Sequence, residues 1–165
     1  MRELKQYRRT IKGCCEVTLM VLRESESEKP FGETPQACAD YYRRSIEPEM
    51  VSRDVEVLHV LYLNTRRKIT SHAMLSTGTG DTLLVSPTIV FRGAILAGAA
   101  GIVLIHNHPS GDPSPSEADI RVTKDLMKGG AILKCELLDH LVMGDASAHG
   151  GKGYTSLKEQ GYFYA

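Results

Sequence analysis

No run of about 18 apolar residues, the length a bilayer-spanning helix needs, occurs anywhere in this chain. The first residues, MRELKQYRRTIKG, also lack the apolar core of a secretory signal. The expectation is a soluble cytoplasmic protein with no membrane partner. Cysteine is scarce: Cys14, Cys15, Cys38 and Cys135 contain no C-x-x-C spacing, and their one adjacent pair is awkward to bridge internally. That fits a reducing compartment and argues against a thiolate zinc site. Net charge is lacking too, since 20 Lys and Arg offset 20 Asp and Glu, so no whole-molecule positive field draws the protein onto a phosphate backbone. The local exception is Arg2, Lys5, Arg8, Arg9 and Lys12 set against Glu3. A solvated terminal arm explains it, and weak nucleic-acid contact is the functional alternative. Repeats and low-complexity segments are absent as well.

What is present suffices for one domain with a real core, because two-fifths of 165 residues are apolar. Residues 1–50 read as an N-terminal extension: the basic arm, a strand from Cys15 to Leu22, and a helix from Pro35 to Arg44 capped by Thr34, with Ala37, Tyr41 and Cys38 facing inward. The main domain follows over 51–165. EVLHVLYL and KITSHAML, separated by the polar turn NTRR, form a hairpin whose continuous apolar character implies burial on both faces. A Gly-rich turn, TGTGD, and a short strand LLV precede Ser86-Pro87. These open a helix reaching Gly98, with Val90, Phe91, Ala94, Ile95 and Gly98 on its core stripe. GIVLIH is a central buried strand opening into the loop NHPSGDPSP. The layout Ser114-Pro115-Ser116-Glu117 places a capped helix start at Ser114, with Gly129-Gly130 as its stop. AILKCELL and HLVMG are two further apolar runs, ahead of the last piece YTSLKEQGYF. The order of elements implies a mixed sheet covered by helices.

Chemistry concentrates where that central strand ends. Side chains alternate along an extended segment, so His106 and His108 point one way and Asn107 the other, a spacing at which two imidazoles can share a metal ion. A catalytic zinc takes three protein ligands and keeps a position for water. Asp119 is the best third candidate, one turn into the next helix beside the inward stripe of Ala118, Val122 and Leu126, with Ser116 three residues before it on the same face. Simple helix capping is the competing explanation for Ser116 and Asp119, although Ser114 and Glu117 are read as filling that role. Glu56 opens an apolar strand; by composition alone it is an ordinary strand-end charge.

An upstream Glu, then His-x-His-Pro, then Ser and Asp beginning after a gap of seven residues from the second histidine, resembles the JAMM (MPN-plus) metallopeptidase motif, here Glu56, His106-Asn107-His108-Pro109, Ser116 and Asp119. HNHPSGDPSPSEADI, SPTIVFRGAILAGAAGIVLI, EVLHVLYLN and LLDHLVMG are similar to the RadC-like branch of that family, over about Glu56 to Gly161. The resemblance implies a single α/β domain of JAB/MPN type, a curved mixed sheet packed between helices with one zinc ion at its edge. It implies that His106, His108 and Asp119 hold the zinc, that Glu56 works as acid and base on water, and that Ser116 steadies the oxyanion of an attacked amide. A peptide or isopeptide is the implied substrate. RadC-like proteins also carry a DNA-repair label, so an accessory or nucleic-acid-binding module with a metal site is the alternative. The helical region that larger members carry ahead of this domain, similar to DNA-binding helix-hairpin-helix elements, is expected to be missing here. HNH nucleases spread their residues over a separate ββα unit, and the H-x-E and P-C-x-x-C pattern of zinc deaminases does not occur.

Other histidines carry less. His140 in the LLDH segment reads as a structural group that could sit behind the site, His59 falls on the strand face opposite Glu56, and His72 and His149 read as histidines without partners. Ser110 and Asp112 are expected to have a conformational role in the loop, with shaping a substrate groove as the alternative, and Gly111 to supply a backbone turn.

Overall fold

The computed structural model describes residues 6–11, 17–22, 29–78 and 85–164. Residues 79–84 of the expected turn and short strand, most of the charged run 23–30 and the basic positions 2, 5 and 12 lie outside those residues. In chain order the elements are β1 (Gln6–Ile11), β2 (Val17–Leu22), α1 (Pro35–Ser45), β3 (Glu56–Leu63), β4 (Ile69–Gly78), α2 (Pro87–Ala97), β5 (Gly101–Asn107), α3 (Glu117–Leu133), β6 (Glu136–Met143), α4 (Ala148–Gly151) and β7 (Tyr154–Ser156). The strands form one sheet in the order β1-β2-β4-β3-β5-β6-β7. Neighbours run antiparallel except β5 and β6, which are parallel and joined by α3. No helix among the described residues is long and apolar enough to cross a membrane.

The domain is α/β with helices on both faces of a mixed sheet, as the sequence predicts. On one face α1 packs Cys38, Tyr41 and Tyr42 over Leu61, Ile105 and Leu141. On the other, Val90, Phe91 and Ala94 of α2 and Leu126 of α3 cover Leu58, Val60 and Leu104. Central β3 and β5 are buried on both sides, which is why they read as continuous apolar runs instead of alternating ones. At the register shifts Leu58/His59 and Tyr62/Leu63 of the β3–β4 pairing, β4 carries one extra residue each time, as in a bulge. The second of them also explains why Ile69 joins the α1 core and Ala73 the opposite one.

Thr34 and Ser86 cap α1 and α2 as expected, each accepting a backbone N–H three residues on. Four expectations need correction. Ala37 is only partly buried, and Cys38, Ala39, Tyr41, Tyr42 and Ser45 form the inward face of α1. Ile95 is 67% exposed; its place is taken by Gly93, whose missing side chain makes room for the Tyr62 ring. The helix predicted from Ser114 begins instead at Glu117, with Ser116 as its cap and Asp119, not Glu117, completing the capping box. Its inward stripe is accordingly Asp119, Thr123, Leu126 and Gly130. Nor do Gly129 and Gly130 stop α3: they let it pass close to Phe91 and to the Cys135 carbonyl, and the helix ends at Lys134 in the left-handed conformation. The AILK part of the apolar run after them thus closes α3 and its turn, and Glu136 onward joins HLVM in one strand, β6.

A Cβ at Gly93 would sit 2.8 Å from Tyr62 Cζ and closer still to its hydroxyl. Gly93→Ala is expected to lower stability by about 1–3 kcal/mol through overpacking between α2 and β3, read as a reduced urea midpoint at unchanged m-value.

Candidate metal centre

The site forms where β5 ends, next to the start of α3, because a parallel β5–α3–β6 crossover must place the N-terminus of its helix beside the C-terminus of its first strand. His106, in register with Leu58 on β3, is completely buried under the α2/α3 side of the sheet. His108 lies one residue past the strand, yet its N–H still donates to the Met143 carbonyl at 2.9 Å, so the extended geometry persists and both rings fall on the same side. Glu56 enters from the first position of β3, on the face of Leu58, and Asp119 from the first turn of α3.

These four residues meet. One ligand atom from each of Glu56, His106, His108 and Asp119 lies within 4.8 Å of the others. His106 Nε2 is 3.1 Å from His108 Nε2, 3.3 Å from Asp119 Oδ1 and 3.7 Å from Glu56 Oε1, and His108 Nε2 is 3.6 Å from Asp119 Oδ2. Ligand atoms ~2.1 Å from a tetrahedral ion are themselves ~3.4 Å apart, so the spacing of the two rings and Asp119 suits a single cation. Open sides remain at Glu56 and His108, whose side chains are 14% and 17% exposed.

The electrostatics agree. Burial would raise the Asp119 carboxyl, but His108, His106 and two hydrogen bonds from Ser116 outweigh it and hold the group well below the usual carboxylate range. The hydrogen bond to Asp119 leads the causes that raise the His108 pKa, with the Asp112 carbonyl and Glu56 adding to it. Positive charge is thus favoured at this point. Glu56 has its pKa raised, chiefly by burial, with Asp119 adding to it against the pull of His108. His106 is pushed well below its usual pKa, first by burial and then by His140, and stays a neutral ring.

Each motif residue has its own support. Ser116 accepts from Asp119 N at 3.2 Å, and both its Oγ–H and its N–H donate to Asp119 Oδ2 at 2.7 Å. Capping and site geometry therefore coincide in one pair of residues, where the sequence treated them as competing explanations. His108 Nδ1 lies 2.8 Å from the Asp112 carbonyl, to which it can only donate, leaving Nε2 to face the cluster. Gly111, at φ +79°, turns the loop back to make that contact, while Ser110 Oγ and Asp112 Oδ1 accept the N–H groups of Asp112 and Ser114. Behind His106 stands His140, its Nε2 2.9 Å from His106 Nδ1, and behind that Thr123 Oγ1 at 2.7 Å from His140 Nδ1. The neighbouring Asp139 faces the other side of β6, accepting from Ser156 Oγ at 2.6 Å. A cavity of about 500 Å³ on that opposite side shares none of the four residues.

Two supports escaped the sequence. Thr123 carries no signal in the sequence pattern, and Asn107 reads only as the residue that points away from the two histidines. Asn107 Oδ1 accepts from Val57 N at 3.0 Å, and its amide donates to the Val55 carbonyl at 3.0 Å and the Arg53 carbonyl at 3.3 Å. It thereby fixes the backbone on either side of Glu56. His59 does face away, edge-on to Tyr42. His72 is not without a partner, its Nδ1 lying 2.8 Å from the Tyr41 hydroxyl. The side chain of His149 lies outside the described residues.

Asn107→Ala strands the Val57 N–H and is expected to cost about 1–3 kcal/mol in urea unfolding. Asn107→Asp should lose as much at neutral pH, since a carboxylate would face two carbonyl oxygens.

A sequence model of the RadC-like JAB domain matches residues 33–162. A UPF0758 protein of Shouchella clausii is 37% identical over 158 residues, 93% of this chain and 62% of the relative. Another, of Methanosarcina acetivorans, is 40% identical over 115 residues, 70% of this chain and 48% of the relative. A third, of Caldanaerobacter subterraneus, is 44% identical over 115 residues, 70% and 47% of the two chains. This chain spans about half to three-fifths of the length of these curated relatives. By its sequence match and by the sheet and motif that carry it, the chain belongs to the RadC-like JAB domain family.

Proposed function

We propose that this protein is a zinc-dependent hydrolase of amide bonds, of metallopeptidase or isopeptidase type. The observation that carries the reading is the convergence of His106, His108 and Asp119 at separations of 3.1–3.6 Å, with a fourth, less tightly held carboxylate alongside. Two neutral nitrogen ligands and one carboxylate are a donor set that suits zinc. Bound there, zinc would supply Lewis acidity, polarising a carbonyl and bringing the pKa of water to roughly 7.

The protein's own residues divide the remaining work. In this reading Asp119, held by Ser116, is a ligand. Glu56, whose pKa is raised by burial, serves as the base that takes a proton from water at Oε1 and returns it to the leaving nitrogen. Ser116 Oγ–H is a side-chain donor beside the cluster, and its role toward a developing oxyanion requires its proton to turn away from Asp119 Oδ2.

Purified wild-type protein is expected to contain one zinc per chain by elemental analysis. Glu56→Gln should keep the zinc and lose about 10²–10⁴-fold in turnover of a fluorogenic peptide or lysine isopeptide, whereas His108→Ala should lose both. Undiminished turnover in Glu56→Gln would remove the assigned base. Ser116→Ala should show two separable losses: about 1 kcal/mol of stability from the cap and about 10²–10³ in kcat.

A further inference from the structure

We propose that Thr123 and His140 are positioning residues that lock His106 into the tautomer protonated on Nδ1, so that its Nε2 lone pair faces the metal. The inference rests on the metal reading above for its purpose, and on hydrogen-bond direction around the buried, neutral ring of His140 for its content.

The direction of each proton follows from one end. Thr123 Oγ1 lies 2.7 Å from the Asp119 carbonyl one helical turn earlier. A carbonyl oxygen only accepts, so the single hydroxyl proton of Thr123 is spent there. Thr123 Oγ1 can then meet His140 Nδ1, 2.7 Å away, only as an acceptor, which places the proton of His140 on Nδ1. The Nε2 of a neutral His140 is therefore a lone pair, and at 2.9 Å it must receive the Nδ1–H of His106. His106 Nε2 is left without a proton, 3.1 Å from His108 Nε2 and 3.3 Å from Asp119 Oδ1. Thr123, His140 and His106 are all buried, so no solvent competes for these bonds.

The lock matters because the other tautomer is well provided for. A proton on His106 Nε2 would find Asp119 Oδ1 at 3.3 Å, closing the lone pair against a cation. Replacing Thr123 with Val orphans the buried Nδ1–H of His140. Moving that proton to Nε2 would restore a bond by donating to His106 Nδ1, and would drive the His106 proton onto Nε2. The chain also starts and finishes on residues of the site, running from the ring of His106 to the backbone of Asp119.

The test reads imidazole nitrogen chemical shifts by long-range ¹H–¹⁵N correlation in metal-free protein, then zinc affinity by competition with a chelator. Wild type is expected to show His106 protonated on Nδ1 alone. Thr123→Val should populate the Nε2-protonated form and weaken zinc binding about 10- to 100-fold, while Thr123→Ser, which keeps the hydroxyl, should match wild type in both readouts. A packing role would not move the tautomer. Wild-type His106 protonated on Nε2 would overturn the inference without any variant being needed, as would a folded Thr123→Val with wild-type tautomer and affinity. Wild type with the expected tautomer but no affinity for zinc would instead overturn the metal reading, and with it the purpose of the lock.

Discussion

Too many hydrogen-bond acceptors in too little space is the condition around which this end of the molecule is built. Two carboxylates and two imidazole nitrogens lie within 4.8 Å of one another, an arrangement that self-repulsion would scatter unless a positive charge sat among them. The surrounding structure is what prevents the scattering. The Asp112 carbonyl holds His108, Ser116 holds Asp119, His140 holds His106, and Asn107 holds the backbone that carries Glu56. The tethers at His108, Asp119 and Glu56 use backbone groups that the adjoining strand, turn or helix already had to satisfy, and His140 passes its own demand on to Thr123.

That economy explains which parts were legible in the sequence. The His-x-His spacing reveals a shared face because alternation holds one residue beyond the strand, sustained by the His108 N–H on Met143. Helix starts at Thr34 and Ser86 were legible because a small polar cap before proline has few other uses. The start of α3 was misplaced because Ser114 and Ser116 offer nearly the same local signal. Only the tertiary position of Asp119 selects the second serine. Glycines 129 and 130 read as a stop, since local propensity says nothing of the Phe91 ring that needs their absence of side chain. Asn107 and Thr123 were invisible for a related reason: their partners are backbone groups or residues far along the chain.

The Ser116–Asp119 pair shows how local and long-range demands are reconciled. Alone, it is a capping box of the kind that opens many helices. Turned toward β5, the same carboxylate presents its second oxygen to His106, so the stability of α3 and the geometry of the cluster depend on a common set of bonds. A substitution here therefore acts on folding and on chemistry together, and separating the two requires independent measurement of each.

The lone parallel pairing in the sheet, β5 with β6, has a further consequence. Its crossover means that the carboxylate and the imidazoles are brought together only after α3 has laid itself across the strands, while Glu56 arrives by a different, antiparallel route through β3. In an unfolded or half-assembled chain only the His106–His108 pair stays close along the sequence, and the full set is dispersed. Completing the ligand set would thus be a late event that senses finished topology, and the captured ion would act as a rivet between the end of β5 and the start of α3.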